Sequence, residues 1–273
     1  MTSTEPERWQ LEEASAEAYE RYAVASWSRP LAEQLVALAA PQEGERILDV
    51  ACGTGIVARL AARSVGERGS VAAVDLNDGM LEVARAQAVD ASVSIDWRQG
   101  DAEALPLADE AFDVVLCQQG MQFFPRRGAA LAEMHRVLAP GGRLALSVMR
   151  PIVHNAGWGV LADALARHAG PEAGAMMRAP FPDWDAAELR ELVTSAGFRD
   201  VRLRIVVASA RYPSPEELVR WEAAASPLAG PLSALSTETR DALIDDVAAA
   251  IADRIDDDGV VFPQETHVVL ARR

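Results

Sequence analysis

Hydrophobic positions along this chain alternate between two rhythms. Short, nearly continuous apolar runs recur as "RILDVA", "SVAAVDL", "VSIDWRQG", "FDVVLCQQ" and "RLALSVM". Between them, "IVARLAARS", "DGMLEVARAQAV" and "RGAALAEMHRVLA" place apolar residues every three or four positions. The first pattern predicts buried strands and the second amphipathic helices. "FDVVLCQQ" carries no charge after Asp113, as expected of a central strand covered on both faces, and "PGG" stops the helix before the fifth strand. Strand and helix in strict alternation predict an α/β fold, a mostly parallel sheet with helices on both faces.

The two ends of the chain depart from this rhythm. "EASAEAYERYAVASWSRPLAEQLVALAA" reads as one or two helices broken near Arg29–Pro30, because proline withholds an amide donor and crowds the preceding turn. Beyond Arg150, "HNAGWGVLADALARHAG" is helical, "AMMRAPFPDW" is a proline-rich loop and "DAAELRELVTSAGF" is a helix ending at Gly197. "DVRLRIVVASARY" is a sixth strand. A long helical segment from Pro215 to Asp256 is interrupted near Pro227–Pro231, and "HVVLARR" is a short closing strand. With no repeats and no low-complexity linker, the 273 residues read as one domain with helical decorations.

Composition narrows the class of partner. Half of the residues are hydrophobic and a quarter charged, the balance of an ordinary globular protein, while the formal net charge is −15. A surface of that sign repels phosphate backbones and anionic membranes, so nucleic acid is excluded as the expected partner. Cys52 and Cys117 both lie in apolar stretches and read as small buried hydrophobes in a reducing cytoplasm. The N-terminus "MTSTEPERWQLEEASAEAYERY" lacks an apolar signal core, and no apolar run reaches membrane-spanning length. No metal-ligand pattern stands out. The expectation is a cytoplasmic protein.

Candidate chemistry centres on "ILDVACGTGIVARLAA", Ile47–Ala62. A glycine turn between a strand and a helix offers free amide N–H groups at the helix start, and counted from Gly53 it reads G-x-G-x-x-A, as in many dinucleotide sites. Asp75, at the tip of the next strand, suits both hydroxyls of a ribose. A dinucleotide and an adenosyl cofactor share these features. Three others separate them. Asp49 precedes the turn, where a carboxylate serves a ligand with an ammonium group but gains a pyrophosphate nothing. "GDAEALP" places Asp101 to accept from an adenine amino group, with the Ala102 amide donating to a ring nitrogen. "FDVVLCQQGMQFF" ends its strand in amides and aromatics, with no hydride-transfer acid.

The stretches "ILDVACGTG", "VAAVDLNDGML", "GDAEALPLADEAFDVVLCQQGMQFF" and "EMHRVLAPGGRLALSV", in order from Ile47 to Val148, resemble the class I S-adenosylmethionine-dependent methyltransferases. The likeness is to the small-molecule group that includes the menaquinone and ubiquinone biosynthesis enzymes, with "YERYAVASWSRPLAEQL" as a looser match. The resemblance implies a Rossmann-like seven-stranded sheet. N-terminal lid helices would span 1–42, a cofactor core 43–150 and a substrate-side half with helical insertions 151–273. It also implies that Ala51, Gly53 and Gly55 close the backbone on the methionine part of the cofactor, and that Asp49 lies near its ammonium. Asp75 would hold the ribose, Leu76 and Met80 pack on the adenine, Asp101 and Ala102 read its edge, and Gln118 line the methionine channel. Each also has a plain structural reading: Met80 as core, Gln118 as a strand-end cap, Asp49 as a hydrogen-bond acceptor.

Methyl transfer from a sulfonium rests chiefly on alignment and exclusion of water, and needs a base only where the acceptor must lose a proton. His154, after the fifth strand, is the single weak candidate for that base, and a solvent-facing loop histidine is its ordinary reading. Tyr22, Trp27, Met121, Phe123, Phe124 and Trp158 together suggest an apolar roof over a small apolar or aromatic methyl acceptor, although each alone reads as packing. Tyr22 is also placed to close as a lid. The Pro215–Asp256 helices cap the pocket, build a homodimer contact, or both. The function expected is transfer of a methyl group to oxygen, carbon or nitrogen of a small metabolite. A nicotinamide-dependent oxidoreductase and a non-catalytic S-adenosylmethionine-binding protein are the alternatives.

Overall fold

The computed structural model describes residues 13–88 and 94–273. Most of the acidic N-terminal stretch, the end of the helix expected to reach Val89, and Val93 at the start of the third strand lie outside those residues. Five parallel strands lead the sheet: β1 (Arg46–Val50), β2 (Ser70–Asp75), β3 (Ile95–Gln99), β4 (Phe112–Gln118) and β5 (Leu138–Met149). β6 (Arg199–Tyr212), β7 (Ile255–Asp256) and β8 (Gly259–Arg272) complete it. The order is β3-β2-β1-β4-β5-β8-β6, with β8 antiparallel to both β5 and β6, and β7 pairing on β8. The mostly parallel sheet is the one expected, with an eighth strand from the short β7–β8 hairpin. The closing strand is twice the length read from "HVVLARR", running from Gly259 along the whole of β6.

Alternation along β1 shows why the sheet is covered on both faces. Ile47 packs with Val71, Ala73 and helix residues Leu35, Ala58 and Ala62, whereas Leu48 and Val50 face Val74, Val115, Leu131 and Met134. The first face is covered by α2 (Arg29–Ala39), α3 (Ile56–Val65) and α4 (Asp78–Gln87). The second is covered by α5 (Arg127–Val137) and α8 (Ala186–Ser195). A third cluster joins Trp158, Leu161, Leu218, Leu243, Tyr212 and Phe262 in the part of the chain after β5. It is built by α6 (Ala156–His168), α7 (Pro171–Arg178), α9 (Pro215–Ala224), α10 (Ala229–Ser233) and α11 (Thr237–Ala250). Each fully buried Leu, Val or Phe in these clusters contributes roughly 1.5–3 kcal/mol.

Two sequence expectations fail locally. The N-terminal helix does not break at Pro30: α1 (Glu13–Ala18) continues through a π-helical stretch, Tyr19–Ser28, directly into α2. The wider winding gives the Arg29 amide Val24 O as its acceptor, and the Ser26 hydroxyl donates to Tyr22 O at 2.7 Å, so the helix carries the proline at its first turns. The segment read as a proline-rich loop is helical up to Arg178 as α7, because Pro171 lies at a helix start and the loop-forming prolines come only after it.

Candidate active site

The chain runs outward from β1 to β3 and then returns to place β4 on the other side of β1. That reversal leaves a crevice at the carboxyl ends of β1 and β4, where α/β sheets bind ligands. A cavity of about 250 Å3 opens there. One end is walled by Ala51, Gly53, Asp75, Leu76, Asn77, Met80, Asp101 and Ala102, the other by Trp27, Trp158, Met177, Phe181, Glu222 and Leu228.

The glycine turn is held open from behind. After Val50 the backbone takes positive φ at Ala51 (55°), Gly53 (54°) and Gly55 (84°) before entering α3. A Cβ at Gly53 would meet no described residue within 4 Å, so this turn presents bare backbone to the cavity. A Cβ at Gly55 would collide with the Trp97 ring and lie 3.3 Å from Ala84 Cβ, so that glycine serves close packing behind the turn. Ala51 and Gln119 are non-glycine residues in the left-handed region, and both line the cavity.

The carboxylates around the turn have distinct duties. Asp75 Oδ2 accepts from the Gly53 amide at 2.7 Å and Oδ1 from the Asn77 amide at 2.9 Å. Burial pushes its pKa up, against the opposing pull of these amides. Asp49 is 1% exposed and stands on the α3 side of β1, where Oδ2 accepts from the Ala58 amide at 3.0 Å and so caps a helix whose own cap residue is Gly55. Burial raises Asp49 to about 8, and its Oδ1 has no hydrogen-bond partner among the described residues. Asp101 Oδ1 accepts from the Glu103 amide at 3.0 Å. The loop that carries it is pinned: Arg136 donates to Leu107 O at 2.8 Å and Leu105 O at 3.1 Å, and Glu133 accepts from the Leu105 amide at 2.8 Å. Glu103 in turn binds the Arg126 amide and guanidinium.

The N-terminal helix supplies a further wall of the cavity. Tyr19, Ala23 and Trp27 line the cavity at every fourth residue of the π-helical stretch. Gln118 Nε2 donates to Ser28 O at 3.0 Å and Ser28 Oγ at 3.1 Å, fastening β4 to this helix. Arg59 bridges from α3, pairing with Glu20 at 2.7 Å and donating to Thr54 O.

Of the candidates read from the sequence, Ala51, Gly53, Asp75, Leu76, Met80, Asp101, Ala102 and Gln118 line the cavity, as do Trp27, Phe123, Phe124 and Trp158. Asp49 and Gly55 stand behind it as supports. Three expectations are corrected. Tyr22 stacks on Trp221, ring centroids 5.1 Å apart, and Tyr19 takes the cavity wall in its place. Met121 is fully buried in the core beneath the sheet end. His154 is exposed, its ring bonded to Arg150 at 3.1 Å, away from the lining residues. Cys52 and Cys117 are buried with thiol pKa values pushed upward, Cys117 to about 12, which leaves neither a nucleophile at neutral pH.

Sequence reasoning missed Glu222, Met177 and Phe181, all lining the far end. Glu222 has a legible signal: it follows Leu218 by one helical turn, so a carboxyl occupies the apolar face of α9. Among the described residues no cluster of His, Cys, Asp and Glu could hold a metal ion, and no helix is long and apolar enough to cross a membrane.

Residues 48–146 match the family model described as a methyltransferase domain. A ubiquinone/menaquinone biosynthesis C-methyltransferase, UbiE, of Azotobacter vinelandii is 36% identical over 180 residues, 61% of this chain and 70% of that protein. The chain belongs to the class I S-adenosylmethionine-dependent methyltransferases. The UbiE of Teredinibacter turnerae is 40% identical over 111 residues, 40% of this chain but only 45% of its own length. Several curated relatives are thus matched over only about half their length. A phosphoethanolamine N-methyltransferase 2 of Haemonchus contortus, solved with S-adenosyl-L-methionine, shares the fold. Its TM-score is 0.60 at 19% identity, over 96% of this chain and 57% of that one. The methyltransferase family's cofactor is S-adenosylmethionine, and the features of this site fit it. A bare-backbone turn at Gly53, a half-buried carboxylate at Asp75 and apolar flanks at Leu76, Met80 and Ala102 suit an adenosyl group.

Proposed function

We propose that this chain transfers a methyl group from S-adenosylmethionine to a small apolar or aromatic molecule. The observation that carries the reading is the continuity of one cavity from the Asp75–Asp101 end to the Trp27–Trp158–Phe181 end, with no cationic side chain among the described residues that line it. When bound, S-adenosylmethionine supplies a methyl group on a sulfonium that is already a good leaving group.

The protein's part is binding, orientation and exclusion of water. Asp75 receives the ribose hydroxyls, each bond to an ionised carboxylate being worth about 1.5–3 kcal/mol. Asp101 and the Ala102 amide read the adenine edge, while Leu76 and Met80 cover its faces. Ala51 and Gly53 bring backbone against the methionine part, and Gln118, tied to Ser28, keeps the N-terminal helix closed over it. Asp49 caps α3 beneath the turn. Alignment of an acceptor with the methyl carbon then supplies much of the acceleration. The aromatic end matches a flat, uncharged acceptor better than an anionic one, because Asp75, Asp101 and Glu222 all lie on the cavity wall.

The test is transfer of radiolabel from [methyl-3H]-S-adenosylmethionine to organic-extractable products across a panel of aromatic small molecules. Release of S-adenosylhomocysteine equal to label transferred supports the proposal. Tight binding of S-adenosylhomocysteine with no transfer to any acceptor supports a binding protein without transferase activity.

A further inference from the structure

Among the described residues, the far end of the cavity holds one carboxyl group, set among aromatic and apolar walls. Glu222 lines the cavity and is buried to 7% exposure, on the inner face of α9 with Leu218 and Val219. Its Oε1 accepts from the Tyr212 hydroxyl at 2.9 Å. The aromatic walls beside it are continuous: Trp27 to Trp158 at 6.2 Å between centroids, Trp158 to Phe181 at 6.3 Å. Burying a carboxyl against such surroundings is costly, and one neutral hydroxyl donor compensates little of it.

We propose that Glu222 is the general base that removes the hydroxyl proton of a neutral phenol-type acceptor at the aromatic end of this cavity, with Tyr212 as its positioning residue. This rests on the methyltransferase reading above. The hydroxyl proton passes to the Glu222 carboxylate and the oxygen's electron pair forms the new bond to the methyl carbon. The carbon–sulfur bond breaks with its electrons left on sulfur, giving a neutral aryl methyl ether, S-adenosylhomocysteine and a protonated Glu222 that returns its proton to solvent. Net charge is conserved, since a sulfonium and a carboxylate are both neutralised.

The choice of a hydroxyl follows from what each acceptor needs. An aromatic amine is uncharged and nucleophilic at neutral pH, so it gives a buried carboxyl no task. A phenol attacks well only as its proton leaves. An anionic acceptor would meet Glu222, Asp75 and Asp101 with no cation among the described lining residues. The groups facing Glu222 are Tyr212 on β6, the Trp27 indole and Tyr19 on the N-terminal helix, and Ser26 beyond Tyr212. Trp27 Nε1 has no hydrogen-bond partner among the described residues, yet its nearness favours the charged carboxylate. Burial outweighs these donors and raises Glu222 to about 7, the range in which a carboxyl exchanges protons at neutral pH.

Phenol, catechol and 2-naphthol serve as probes, with aniline and 2-naphthylamine as matched amines. In protein saturated with S-adenosylhomocysteine, 2-naphthol is expected to quench tryptophan fluorescence saturably, reporting entry beside Trp27 and Trp158. Label transfer to at least one phenol is expected, with kcat/KM rising through one ionisation near pH 7. Glu222→Gln should lower that rate at least 100-fold and abolish the rising limb while leaving S-adenosylhomocysteine affinity within threefold. Tyr212→Phe should move the limb to higher pH, which a purely structural loss would not do. No quenching, transfer to the amines only, a methyl group on carbon, or an unchanged rate or limb in Glu222→Gln each overturns the proposal. Failure of wild-type protein to bind S-adenosylhomocysteine defeats the cofactor reading instead.

Discussion

The Gly53 amide donates to Asp75 Oδ2 across 2.7 Å, tying the glycine turn after β1 to the tip of β2. One carboxylate therefore shapes the turn and faces the cavity from the same position. Replacing it should weaken cofactor binding by both routes. Asp75→Ala is expected to reduce S-adenosylhomocysteine affinity on the order of 100-fold, as loss of about 3 kcal/mol of charge-assisted hydrogen bonding implies. Asp75→Asn, which retains one acceptor, should fall between. Isothermal titration calorimetry on the three proteins checks the order, and equal affinities would remove Asp75 from the site.

Gly55 packs its missing side chain against Trp97 and Ala84 at φ 84°. Gly55→Ala is expected to lower the melting temperature, as an overpacked core position with unfavourable φ costs roughly 1–3 kcal/mol. Trp97→Leu should recover part of the loss, because it removes the colliding ring but not the backbone strain. A double-mutant cycle by denaturant unfolding measures that coupling, and strict additivity would show that the ring plays no part.

The cofactor end was legible in the sequence because its parts are local. A turn, the strand tip at Asp75 and the loop at Asp101 each need only a few neighbouring residues. The end at Trp27, Trp158, Phe181 and Glu222 was not, because its members come from segments far apart that meet only through packing. Glu222 stands one turn after Leu218, a spacing that marks its helix face but not its neighbours, and its place in the cavity depends on Tyr212 and the N-terminal helix. The π-helical winding escaped as well, since Pro30 signals a break by itself and only the Ser26 and Arg29 hydrogen bonds reveal how the helix carries it. Tyr22 was singled out from the N-terminal helix, whereas the folded helix turns Tyr19 toward the cavity in line with Ala23 and Trp27.

Asp49 ionises near 8 in the folded protein, against about 4 in an unfolded chain. Between those values the folded chain keeps a proton that the unfolded chain releases, so the contribution to stability is full below the lower value and is lost as pH rises through the upper. Glu222, raised to about 7, acts in the same direction. Carboxylates paired with arginine, such as Asp113 beside Arg46 and Glu45 beside Arg143, have lowered values and act below this window. Asp49→Asn is therefore expected to flatten, without abolishing, the fall in melting temperature between about pH 5 and pH 8. Differential scanning fluorimetry across that range checks it, and parallel curves would contradict the buried protonated state.

Gln118 holds the N-terminal helix through Ser28, and Glu20 holds it through Arg59. The Glu20–Arg59 pair is 13% exposed on each side, so removing one partner leaves a partly buried charge unpaired. Glu20→Ala and Gln118→Leu should each speed S-adenosylhomocysteine release several-fold and hasten proteolysis within the first helix, with smaller effects on the melting temperature. Stopped-flow dissociation and limited trypsin digestion test this, and unchanged release rates would deny the helix a closing role.

The central claim is that the crevice at β1 and β4 takes an adenosyl sulfonium and not a dinucleotide. Calorimetric titration of the wild-type protein with S-adenosylhomocysteine, NAD and NADP, repeated on Asp75→Ala, tests it most directly. The account predicts saturable one-to-one binding of S-adenosylhomocysteine, greatly weakened in the variant, and no heat from either dinucleotide. Binding of NAD or NADP with none of S-adenosylhomocysteine would contradict it.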